Sequence, residues 1–285
     1  MTLDWSIDSS SGGASRPIIG TTHSPECEPR GHVLIAHGFK GYKDYGFIPW
    51  LAQHAARCGF VAHRFNFSHG GMVHGHGPFD EEVFRDDTWN RQVEDVLSLL
   101  DAVRKGALPG SPGPVGLVGH SRGGVTSLLA AGRHAGTDSL AGLRCVLSLA
   151  APSECLSMDP GQQGTLLERG ELPSPSGRTG QELLVGRTFL QEQLDDPEGH
   201  DLLRQVGRID VPVQLVHGLE DDAVPVESVR KIASALPSVH GVHVLDGANH
   251  VFNTPNPFPV DAEPSDCLAE VGQILAAAMD AGFSR

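Results

Sequence analysis

A short apolar run, Val115-Gly116-Leu117-Val118, passes directly into Gly119-His120-Ser121-Arg122-Gly123-Gly124, and an Ala/Leu-rich segment from Val125 to Arg133 follows at once. The run reads as a buried strand and the segment after the glycines as a helix. A strand joined to a helix through one serine between glycines demands a cramped turn. Gly119 and Gly123 carry no Cβ, so strand and helix can approach closely around it. The Ser121 hydroxyl would then stand clear of the sheet. The first N–H groups of the helix, and the positive end of its dipole, would face any negative charge forming there. Gly-x-Ser-x-Gly is weak evidence in a chain with 35 glycines, and its strand and helix flanks are what give it weight.

The rest of the chain repeats this alternation. Weak edge strands fall around Trp5–Ile7 and Pro17–Thr21, a convincing buried strand at 31–36, and further strands at 60–67, 143–150, 211–216 and 242–245. Helical spacing covers 45–58, 80–103, 226–236 and 265–281, with Asp80, Glu81 and Glu82 where the helix dipole favours acids. Such alternation predicts an α/β fold with a mostly parallel sheet and helices on both faces. Ligands bind such sheets beyond the carboxyl ends of the strands. Polar segments occur there after Ala36, after Val118 and after Val216. The stretch 152–208 breaks the pattern, with a Pro/Ser/Gly-rich piece around 172–180 and one helical segment at 187–194. It is too long and polar for an ordinary connection, so it is expected to be an inserted cap over a core formed by 1–151 and 209–285.

Composition narrows the partners. The formal net charge is -14 and no basic run is long enough to follow a phosphate backbone, which argues against nucleic acid and anionic membrane surfaces. No apolar stretch reaches membrane-spanning length, and Met1 to Asp8 lacks the pattern of a secretory signal. The five cysteines are scattered without a Cys-x-x-Cys pair, so free thiols in a reducing cytoplasm are expected. A homodimer is compatible with the sequence.

A serine hydroxyl is a poor nucleophile until a base removes its proton, and that base needs a carboxylate to hold its tautomer. Both lie downstream at strand ends. Glu220-Asp221-Asp222 follows the strand ending at His217-Gly218, and His250 closes Asp246-Gly247-Ala248-Asn249-His250 after the next strand. Ser121, an acid among 220–222, and His250 could thus meet in one cleft.

These motifs resemble the α/β-hydrolase superfamily, in its serine-esterase and dienelactone-hydrolase-like branch, which includes small cinnamoyl and feruloyl esterases. The resemblance rests on His37-Gly38-Phe39, Gly119 to Gly124, His217-Gly218 with Asp221-x-x-Val224-Pro225, and Gly247-Ala248-Asn249-His250, and covers the chain from about Gly31 onward. It implies the α/β-hydrolase fold with Ser121 as nucleophile, His250 as base then acid, and Asp221 as orienting acid. It also implies an oxyanion hole from the backbone N–H groups of Phe39 and Arg122, with His217 fixing the acid's loop. The implied function is hydrolysis of small-molecule esters without a metal or organic cofactor. Peptidase or acyltransferase chemistry on the same triad, and a silent binding protein, are the alternatives. Phe39, Met72, Val251 and Phe252 are expected to shape the substrate pocket with the cap, and Lys40 and Lys43 to be solvated. A rival metal site from His69, His74, His76 and Asp80 would need further ligands in the right geometry, so a loop at the rim of the cleft is the simpler reading.

Overall fold

Side chains alternate across a strand, and the central strands bury both sets. In β3 (His32–Ala36), Val33 and Ile35 pack into one apolar layer, while Leu34 and Ala36 pack into the layer on the opposite face. β5 (Val115–His120) divides Leu117 and Val118 in the same way. This computed structural model describes residues 1–9, 16–73, 77–237 and 241–284.

The other sheet strands are β1 (Thr2–Ser9), β2 (Arg16–His23), β4 (Val61–Asn66), β6 (Leu143–Leu149), β9 (Val213–Gly218) and β10 (Gly241–Leu245). Their order is β1-β2-β4-β3-β5-β6-β9-β10, parallel from β4 to β10, with β2 antiparallel to both β1 and β4. This is the α/β-hydrolase arrangement. Helices α1 (Ile48–Arg57) and α9 (Asp266–Phe283) supply one apolar layer with Leu51, Ala55, Val271 and Leu275. Helices α3 (Trp89–Arg104), α4 (Arg122–Arg133) and α8 (Glu227–Ala235) supply the other. Leu128 and Leu129 of α4 are fully buried, so truncating either to Ala would cost about 2–5 kcal/mol.

The helical spacing over 80–103 resolves into two helices. α2 (Glu81–Arg85) and α3 each have their own cap: Asp80 accepts the Val83 N–H and Thr88 accepts the Arg91 N–H. The break between them leaves Asp87 buried. Within 152–208, α6 (Arg187–Asp195) matches the expected helix, and four further elements appear. α5 (Pro160–Arg169) starts on an Asp159–Gln162 capping box and ends on left-handed Gly170. β7 (Glu171–Pro175) and β8 (Glu182–Gly186) form a separate antiparallel hairpin, and α7 (Leu202–Val206) packs on α4 and α8. Among the described residues no helix is long and apolar enough to cross a membrane. All five cysteines are unpaired.

Candidate active site

Ser121 links β5 to α4 at φ 54° and ψ -119°, a backbone state that side chains other than glycine rarely adopt. Such a residue carries roughly 1–3 kcal/mol of strain and persists where its surroundings over-determine it. Its N–H donates to the Leu149 carbonyl (2.7 Å), and its carbonyl accepts the N–H groups of Gly124 (2.9 Å) and Val125 (3.2 Å). A Cβ on Gly119 would collide with the Gly123 carbonyl, and one on Gly123 with the carbonyls of Ala36 and His37. The glycines are therefore required by close approach of backbone to backbone.

Of the three consecutive acids, Asp221 is the one that meets the histidine. The His250 Nδ1–H donates to Asp221 Oδ2 at 2.8 Å. Asp221 Oδ1 accepts the N–H groups of Ala223 (2.9 Å) and Val224 (2.8 Å). His217 Nε2 lies 2.9 Å from the Val224 carbonyl and 3.3 Å from Asp221 Oδ2. A carbonyl only accepts, so this nitrogen carries the proton and also serves the carboxylate. Burial alone would raise the Asp221 pKa. Hydrogen bonds from His217, His250 and the Val224 N–H outweigh it and hold the carboxyl well below the usual range. With its Nδ1 proton committed to Asp221, His250 presents Nε2 as the acceptor nitrogen.

The loop bearing His250 is held by residues whose roles were not legible in the sequence. Asn249 Oδ1 accepts the N–H groups of Val251 (3.1 Å) and Asn253 (2.9 Å), while Asn253 Oδ1 accepts the Asn249 N–H (3.1 Å). The Glu220 N–H donates to the Ala248 carbonyl (3.0 Å), tying the Asp221 loop to the His250 loop. From beside the serine, His120 Nε2–H donates to the His250 carbonyl (2.9 Å), with the two ring centroids 4.9 Å apart. Burial, and then the neighbouring His250, push the His120 pKa down to about 3, so it acts as a neutral prop. None of these contacts has a periodic or compositional signature.

Two cavities meet at Ser121 and Phe39. The larger, about 350 Å³, is walled by Trp89, Arg122, Cys155, Leu172, Val185 and Phe189 among others. The smaller, about 70 Å³, is bordered by Gly38, Tyr45, His120, His250 and Val251. Ser121 thus shares the smaller space with His250. Arg122 opens α4, so its N–H has no acceptor within the helix. The turn after β3 closes through the Gly41 N–H on the Gly38 carbonyl (3.0 Å) and does not use the Phe39 N–H. Both N–H groups are thereby available near the serine.

Met72 and Phe252 line neither cavity. Met72 is buried in the core layer with Phe79 and Phe84. The turn at Phe252, with φ 53°, carries its ring inward against Phe47, 5.5 Å between centroids. Lys43 is drawn into a polar network with Thr21 and Asp44, where burial pushes its pKa down to about 8. The Lys40 ammonium donates to the Pro175 carbonyl (2.7 Å). His74 and His76 lie outside the described residues, whereas His69 Nδ1 bonds the Ser68 hydroxyl (2.8 Å) and Asp80 caps α2. Among the described residues no three His, Cys, Asp or Glu side chains are grouped to hold a metal ion.

A sequence model of the alpha/beta hydrolase family matches residues 33–263. The chain belongs to the alpha/beta hydrolase family. It is 26% identical over 277 residues to a monoacylglycerol lipase of Mycolicibacterium smegmatis, covering 84% of this chain and 88% of that one. Among solved structures it resembles Est1E from Butyrivibrio proteoclasticus with ferulic acid bound, at a TM-score of 0.71 and 18% identity over 98% of this chain and 100% of that one. A dienelactone hydrolase from Anabaena variabilis aligns at a TM-score of 0.61 and 14% identity over 99% and 98%.

Proposed function

We propose that the chain is a serine carboxylesterase in which Ser121 is the nucleophile, His250 the base and then acid, and Asp221 its orienting acid. The observation carrying this reading is the Asp221–His250 hydrogen bond, made by a histidine that borders the same cavity as a serine on a strained strand-to-helix turn. The family and the esterase and lipase relatives support ester hydrolysis as its chemistry.

His250 Nε2 takes the Ser121 hydroxyl proton as Oγ bonds to the ester carbonyl carbon. The carbonyl oxygen gains the electron pair, and the N–H groups of Phe39 and Arg122 receive it, with the start of α4 adding its dipole. As the C–O bond to the alcohol breaks, His250 hands its proton to the leaving oxygen. Water then repeats the sequence on the acyl-enzyme, releasing the acid and restoring Ser121. Because His250 must reach the leaving oxygen, the alcohol belongs in the small cavity beside Tyr45 and Val251, and the acyl group in the larger one. The segment 152–208 serves as the cap that closes the acyl side.

Hydrolysis of p-nitrophenyl acetate and butyrate, with Ser121→Ala as control, tests this. Wild-type turnover far above the variant is expected. Equal rates would leave a non-catalytic binding protein as the better reading.

A further inference from the structure

Arg122 has a second feature besides its backbone N–H. Its side chain is buried, with the whole residue 7% exposed, yet it lines the larger cavity beside Ser121. The guanidinium carbon lies 4.5 Å from the Trp89 ring centroid, 5.0 Å from Phe189 and 5.2 Å from Phe39, so aromatic rings surround the group. Nη2 sits 3.3 Å from Asp87 Oδ2 in an ion pair that is itself buried. Asp87 is fixed from behind, since Gln92 Nε2 lies 3.0 Å from each carboxylate oxygen and Gln92 Oε1 accepts the Thr126 hydroxyl (2.7 Å). Neither Nε nor Nη2 makes a hydrogen bond, and both are sealed from solvent. Nη1 is not among those sealed atoms, and Arg122 lines the cavity.

We infer that the Arg122 side chain determines acyl specificity, selecting esters whose acyl group carries a neutral oxygen acceptor over plain alkyl chains of the same length. This rests on the esterase reading above. Nη1, the guanidinium nitrogen that is not sealed, is a donor that an alkyl chain leaves unmet and an oxygen satisfies. Arg122 is the one Lys or Arg among the described residues lining the cavity, where Glu154, Ser157 and Gln162 are exposed and Ser174 is half-buried. Asp87 already balances the charge on Arg122 and Glu154 adds a negative one, so a carboxylate on the acyl chain would be an excess anion. The matching ligand is uncharged, such as a keto or hydroxy acyl group.

Methyl esters of matched chains test this: pentanoate against 4-oxopentanoate, hexanoate against 5-oxohexanoate, and the monomethyl ester of succinate, followed by acid release. The readout is the ratio of kcat/KM between partners within one protein, which cancels any general loss. Wild type should favour the better-placed oxo ester by about 10- to 100-fold and discriminate against the succinate half-ester. Arg122→Met should bring the oxo/alkyl ratio to near one. Asp87→Asn, which leaves the cation unbalanced, should raise the half-ester relative to pentanoate by about tenfold or more. A wild-type ratio near one at both chain lengths overturns the inference without any variant, as does a ratio that Arg122→Met leaves intact. If no ester is hydrolysed faster than by Ser121→Ala, the esterase reading falls and this inference with it.

Discussion

The strand-end loops and the 152–208 segment face each other across one cavity, but they are held in different ways. The loops bearing Ser121, Asp221 and His250 are fixed by backbone and Asn, His and Asp side chains of their own turns, both within each turn and from one turn to the next. The segment is attached by long-range contacts. Gln181 brackets Phe79 through its N–H (2.7 Å) and carbonyl (2.9 Å), Arg178 lies over Tyr42 and Phe79, and Lys40 reaches Pro175. The contrast separates the turns from the cavity wall: geometry that must not drift is built into turns, whereas the wall of the larger cavity can differ without disturbing it.

Mutations should divide along the same line. Removing the proposed nucleophile is the largest change: Ser121→Ala should lower kcat by about 10⁴-fold or more with substrate binding retained, as single-turnover and steady-state rates would show. Asp221→Asn should cost about 10³- to 10⁴-fold in kcat, because the His250 tautomer is no longer enforced. Asp222→Asn, at an exposed neighbour, should stay within about twofold. If Asp222 mattered as much, the local account of the acid loop would be wrong.

Acid should act on the sheet and its ends. Burial holds the pKa of His37 at about 4 and those of His63 and His120 at about 3, below the ordinary 6.5. Below pH 6.5 the unfolded chain takes up protons that the native one refuses, so their stabilisation is complete above that pH and is lost as pH falls toward 4. Each contributes up to about 1.4 kcal/mol per pH unit. Asp95 opposes them: burial pushes its pKa up to about 7, so the native state binds a proton there that the unfolded state releases above about 4. Its effect offsets roughly one histidine. Urea midpoints measured from pH 7 to 4.5 should fall steadily, and a flat profile would contradict this.

Smaller effects sharpen the comparison further. Asn249→Ala frees the turn under His250 and should reduce kcat by about 10- to 100-fold with little change in KM. Gln181→Ala loosens the hairpin and should do the reverse, raising KM for longer acyl esters by about 3- to 10-fold while kcat stays within about twofold. A kcat loss in Gln181→Ala as large as that of Asn249→Ala would erase the distinction between the two regions.

The same distinction explains what could be read from the chain. The central strands were legible because burial on both faces makes them continuous apolar runs, and the turns bearing Ser121 and Asp221 follow such runs, whereas His250 follows the half-exposed edge strand β10. The break before α3 was not, since it depends on Thr88 and Asp80 acting as separate caps within an otherwise helical spacing. The hairpin at 171–186 carries Pro173 and Pro175, which argue against a strand but are tolerated in an edge pairing. Phe252 turns inward through a backbone dihedral that no apolar pattern encodes. His120 acts through one hydrogen bond between loops, and Asn249 and Asn253 through several within one turn, which spacing cannot anticipate.

The most direct test is covalent. The enzyme would be inactivated with a serine-directed alkyl phosphonate and the adduct located by peptide mass spectrometry. One adduct per chain on Ser121, formed in step with loss of esterase activity and absent after Asp221→Asn weakens the base, is the expected result. Cys155 borders the same cavity, but burial pushes its thiol up to about 12, so little thiolate is available to compete. Full esterase activity with Ser121 stoichiometrically modified, or an adduct at another residue that tracks the loss of activity, would contradict the assignment of Ser121 as the nucleophile.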